Sequence, residues 1–62
     1  MTLVAQVNGR LRDRITVHAD ASEAEIRAAA MAAANARRAI GEKVVRQVVI
    51  VPGRLVNIVT EE

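Results

Sequence analysis

The stretch Val7-Asn8-Gly9-Arg10-Leu11-Arg12-Asp13-Arg14-Ile15 (VNGRLRDRI) decides the fold. Asn-Gly between two strand-forming runs, Leu3 to Val7 and Leu11 to Val17, is a strong local signal for a β-hairpin. The register is the difficulty. A two-residue turn pairs Val7 with Arg10, Ala5 with Arg12 and Leu3 with Arg14, setting the apolar side chains of one strand on the arginine face of the next. One more loop residue pairs Gln6 with Arg10 and Val4 with Arg12. Leu3, Ala5, Leu11, Ile15 and Val17 then share one face, and Arg10, Arg12 and Arg14 share the other. The pattern therefore predicts a three-residue loop with Gly9 at a bulge.

Outward from the hairpin, Ser22-Glu23-Ala24-Glu25 matches a capping box, with Ser22 accepting from the third helical amide and Glu25 reaching back to the cap amide. A helix starts there. Nine alanines between Ala24 and Ala39 supply helix propensity but little burial, so Ile26, Ala30, Ala33 and Ile40 must form a shallow apolar stripe. A straight helix puts Arg37 into that stripe. A break near Asn35, followed by a short second helix ending at Gly41, turns Arg37 outward. Val44 to Val51 and Leu55 to Thr60 read as two further strands joined at Pro52-Gly53, residues suited to the two central positions of a type II turn. The order is ββαββ, an α+β fold: a four-stranded, largely antiparallel sheet with one main helix, broken near Asn35, on one face. In the third strand Val44, Val48 and Ile50 alternate with Val45, Val49 and Val51. Both faces are thus apolar, as in a central strand or one covered by something further.

Composition narrows the function. The chain has 62 residues, no Cys, no aromatic residue and one His, so neither a disulfide framework nor a thiolate metal site is available. Base stacking on aromatic rings is excluded too. Nine Lys and Arg against seven Asp and Glu leave only +2. Their arrangement matters more than the sum. Arg10, Arg12, Arg14, Arg46 and Arg54 lie in or beside strands, whereas the acids gather at the helix start and at Glu61 and Glu62. No run approaches the roughly 20 apolar residues of a membrane span, and no signal-peptide pattern opens the chain; a cytoplasmic setting without a membrane partner is expected.

The tail VPGRLVNIV (residues 51–59) repeats the V-x-G-R-L of residues 7–11. With ADASEAEI (residues 19–26) and VVRQVVIV (residues 44–51) between them, these motifs resemble the C-terminal domain of bacterial leucyl-tRNA synthetase, in the same order and at similar spacing over nearly the whole chain. The departures are in the helical region, where members often carry larger residues and this chain has Ala29 and Ala39. The resemblance implies that residues 1–62 form a single C-terminal tRNA-binding domain excised from a larger synthetase. Its partners would be the elbow of leucine-specific tRNA and the remainder of the parent enzyme. It also implies a parent ligase that uses ATP and magnesium in a catalytic domain elsewhere. This chain has no HIGH-type or KMSKS-type element, no Walker loop and no activated nucleophile, so the domain itself is expected to be non-catalytic and to hold no cofactor.

Arginine forks bind phosphate oxygens, and turn amides can donate to the same anions. The candidate tRNA contacts are therefore Arg10, Arg12, Arg46 and Arg54, assisted by Asn8 and Gly9 and chosen by charge and loop position. Other readings stand beside this one. An arginine row can be the solvated face of a half-buried sheet, Gly9 and Gly53 can be turn residues only, and Asn57 can simply satisfy a neighbouring backbone group. Asp13 falls in line with the apolar face and needs an edge position or an arginine partner. A rival function is a protein-interaction module that docks through the second apolar sheet face.

Overall fold

A computed structural model describes residues 1–61. Four strands, β1 (Thr2–Val7), β2 (Arg10–Thr16), β3 (Val45–Val51) and β4 (Leu55–Thr60), form one sheet. Helices α1 (Glu23–Ala32) and α2 (Ala34–Ile40) connect β2 to β3. The strand order is β2-β1-β4-β3. Two antiparallel hairpins flank a central parallel pair, β1 with β4. The class is the small α+β domain that the sequence predicts.

The hairpin departs from expectation in an instructive way. Val7 pairs with Arg10, so Asn8-Gly9 is a two-residue turn and not a three-residue loop. Both turn residues are left-handed, with φ of 53° at Asn8 and 80° at Gly9, as a type I′ turn requires. The clash of faces is resolved further along: Gln6 pairs with Leu11 and Ala5 with Asp13, leaving Arg12 as an extra residue in β2. The bulge is therefore at Arg12, not Gly9. Beyond it the parity is reversed, and Ile15 opposite Leu3 reaches the core. Before it the parity is unchanged, so Leu11 pairs with Gln6 on the open face and is 54% exposed rather than in the core.

Leu3, Ala5 and Val7 of β1, with Val56 and Ile58 of β4, are the buried rows of the sheet. Ile26, Ala30, Ala36 and Ile40 cover them from the helices, with Ala33 partly buried against the same cluster. Ser22 caps α1, its Oγ accepting from the Glu25 N–H at 3.2 Å. Glu25 answers by accepting from the Ser22 hydroxyl at 3.3 Å, in place of the expected contact with the cap amide. The helical segment breaks at Ala33, which is extended (φ −62°, ψ 127°), two residues before the expected Asn35. α2 then closes at Gly41, and Arg37 faces outward as predicted.

The third strand is at an edge, not in the centre. β4 takes the central place because its alternate residues Val56, Ile58 and Thr60 are all buried. A second bulge, at Arg46, separates the pairs Val45–Thr60 and Gln47–Val59. It shifts the expected alternation, so Val45, Val48 and Ile50 pack on the core while Val49 and Val51 remain on the open face. The Pro52-Gly53 turn is as expected, with Gly53 at φ 73° and the Arg54 N–H donating to the Val51 carbonyl at 3.0 Å.

Gly9→Val should cost about 1–3 kcal/mol, because a β-branched residue is strained at positive φ. A Cβ there meets nothing within 4 Å, so the loss is of backbone origin and Gly9→Asn should be milder. Equal melting temperatures for wild type and Gly9→Val would refute the type I′ turn. Ile26→Ala should cost about 2–4 kcal/mol in denaturant unfolding, and a loss near zero would mean that α1 is anchored elsewhere.

Candidate nucleic-acid interface

At one end of the sheet the β1–β2 turn is fastened to the last residues of β4. The Asn8 side chain grips Thr60 twice: its Oδ1 accepts from the Thr60 N–H at 2.9 Å and its Nδ2 donates to Thr60 Oγ1 at 2.9 Å. The Gly9 N–H donates to Asn57 Oδ1 at 2.9 Å. These bonds join residues 48 and 52 positions apart and satisfy Thr60, the one buried polar residue among those described. Asn8 and Gly9 are thus brought to the expected place. The Gly9 amide, expected to be open to an anion, is already engaged by Asn57. Both residues hold the turn from which Arg10 projects.

Arg10 and Arg12 follow that turn, and the bulge directs Arg12 toward α2. Two adjoining hollows lie there. One, of about 370 Å³, is bordered by Val7, Asn8, Arg10, Arg12, Ala39 and Lys43. The next, of about 430 Å³, is bordered by Leu11, Arg12, Asn35, Arg38 and Ala39. Arg12 and Ala39 are common to both, so the hollows adjoin and together make up a basic groove between β2 and α2. Its four cations come from the hairpin (Arg10, Arg12), the helix (Arg38) and the helix exit (Lys43). None of them forms an ion pair among the described residues.

Asp13 explains how α2 comes to border this groove. Its Oδ1 accepts from the Arg14 N–H at 2.8 Å, and its Oδ2 accepts from the Asn35 N–H at 3.1 Å. The N-cap position of α2 is Ala33, which offers no side-chain acceptor. A carboxylate from the edge strand therefore supplies the missing cap, satisfying a free amide at the positive end of the short helix. Asp13 has its expected edge position, but its partners are amides, not an arginine.

The other two candidate arginines lie apart. Arg46 is on the opposite edge strand, three interstrand spacings or roughly 14 Å across the sheet. Its Nε is 3.8 Å from Glu61 Oε1, with both side chains more than half exposed, a contact worth little in water. Arg54 precedes β4, and its carbonyl accepts from the Val4 N–H at 3.2 Å. Because β1 and β4 run parallel, Arg54 is at the end where β1 begins and Arg10 is at the end where β1 finishes. The repeated V-x-G-R-L motifs thus mark opposite ends of the sheet. Sequence reasoning gave neither Arg38 nor Lys43 a place in the site. The cluster Arg37-Arg38 followed by Lys43, just across Gly41, was the available signal.

No family model matches the chain. Sequence comparison nevertheless aligns almost all of it with leucine–tRNA ligases. It is 44% identical over 59 residues to that of Halorhodospira halophila, 51% over 57 residues to that of Shewanella pealeana, and 53% over 57 residues to that of Alkalilimnicola ehrlichii. The alignments cover 95%, 92% and 92% of the chain, which spans 7% of the length of each relative. The fold also superposes over its whole length, with a TM-score of 0.92 and 24% identity, on 8% of a chain in the crystal structure of the ternary LeuRS–tRNA–LeuAMS complex of Agrobacterium radiobacter K84.

Asn8→Gly keeps the backbone freedom of the turn and removes only the grip on Thr60. It should destabilise the fold by about 1–3 kcal/mol, because the Thr60 N–H is left without its acceptor. A melting curve superimposable on wild type would show that the bracket contributes nothing to the fold.

Proposed function

We propose that this chain, a leucyl-tRNA synthetase domain by sequence, is a non-catalytic tRNA-binding appendage that supports leucylation by holding tRNA through its phosphate backbone. The observation that carries this reading is the groove between β2 and α2, where Arg10 and Arg12 are joined by two further cations in a chain of nearly balanced charge. Guanidinium groups fork onto phosphate oxygens, and such contacts position an RNA without reading its bases. The absence of aromatic residues favours the same mode, since bases have no ring to stack on. The tRNA elbow is the segment we assign to it. Arg46 and Arg54, remote from the groove, are assigned peripheral contacts.

The parent enzyme in this reading is an ATP- and magnesium-dependent leucine–tRNA ligase of the cytoplasm whose catalytic centre lies outside these residues. No helix among the described residues is long and apolar enough to cross a membrane. A second reading draws on the open sheet face, where Leu11, Val49 and Val51 are exposed: the domain then docks on protein through apolar contact. Salt separates the two, because phosphate neutralisation weakens steeply with ionic strength and apolar docking does not.

In the full-length synthetase, Arg10→Ala and Arg12→Ala should each weaken tRNA binding nearly uniformly across tRNA sequence variants and lower the salt slope by about 1. Leucine activation, followed as ATP–pyrophosphate exchange without tRNA, should be unchanged. Unaltered affinity and slope in both variants would remove the hairpin from the interface.

A further inference from the structure

We infer that the RNA-binding surface is two-walled, with Arg38 and Lys43 of the helical wall gripping the same sugar–phosphate segment as Arg10 and Arg12, and with Asp13 as the positioning residue that holds the walls together. This rests on the tRNA-binding reading above and adds the site within it. Arg12 and Ala39 border both hollows, so one ligand segment lying along the groove meets cations from both sides. The polar lining consists mostly of donors: the arginine forks suit bidentate contact and Lys43 supplies a point charge. That chemistry selects a run of phosphates over a base edge, and a phosphodiester strand over a single small anion.

Asp13 makes the inference testable in an unusual direction. As a negative charge next to Arg12 in the chain, it opposes anion binding there on Coulombic grounds alone. Its two oxygens, however, are occupied by the Arg14 and Asn35 amides, and the second contact ties the start of α2 to β2. Arg38 lies one turn further along that helix. Removing the carboxylate should therefore loosen the helical wall and weaken RNA binding, although the site becomes more positive.

The test measures binding of an unmodified leucine-tRNA transcript to the full-length synthetase across a salt series, with melting curves to verify that each variant folds. Arg38→Gln with Lys43→Gln should weaken binding by about ten-fold at moderate salt and lower the salt slope by about 2. Arg46→Gln with Arg54→Gln should weaken it by only about two-fold. Loss confined to the second pair would overturn the groove while leaving the tRNA-binding reading intact. Wild-type binding by both pairs and by an added Arg10→Gln, Arg12→Gln pair would overturn both. Asp13→Ala should weaken binding, and Asp13→Asn, which keeps an acceptor for the Asn35 amide, should restore it. Tighter binding by both Asp13 variants would show that the carboxylate is only an opposing charge and would overturn its positioning role.

Discussion

One extra residue in an edge strand reconciles the two halves of this fold. The type I′ turn at Asn8-Gly9 fixes Val7 opposite Arg10, and continuing in that register would carry arginines into the apolar face. The bulge at Arg12 ends that register after one further pair and reverses the parity of everything beyond it. Ile15 then reaches the core, Asp13 comes within hydrogen-bonding range of α2, and Arg12 itself is freed from pairing to face the helix. Packing, helix capping and the basic groove therefore share one cause. Bulges commonly re-aim a side chain in this way.

The same device appears at the other edge. Arg46 is the extra residue in β3, so each edge strand of the sheet carries an arginine at a break in its ladder. A charged, bulged edge is a poor template for another strand, which matters in a domain whose open face leaves several apolar side chains in contact with water. The core beneath is built from aliphatic residues and alanine. Alanine-rich helices bury little surface per residue, which makes the long-range hydrogen bonds from Asn8, Gly9 and Asp13 important to the definition of the fold.

Much of this was legible in the sequence. The capping box, the Pro-Gly turn, the break between two helices and the ββαββ order follow from local chemistry that tertiary contacts only reinforce. The bulge was less accessible: parity demanded one extra residue in the hairpin, and the pattern could not say whether it belonged to the loop or the strand. Placing it in the loop put Leu11 in the core, an error of one position that exchanges faces. The edge position of β3 was hidden for a related reason, since an apolar edge strand and a central one share a pattern when the outer face is not polar. At the candidate site, Arg10 and Arg12 were readable as basic residues beside a turn. Arg38 and Lys43 were not assigned there, because their proximity to β2 depends on a carboxylate 22 residues before Asn35 capping the helix.

The central claim is that these residues hold tRNA within a larger synthetase. A hydroxyl-radical footprint of leucine tRNA, taken with the full-length parent and with a parent lacking residues 1–62, tests it most directly. The account predicts that the deletion loses backbone protection at the elbow and leaves protection of the acceptor end in place. Identical footprints from the two enzymes would contradict it.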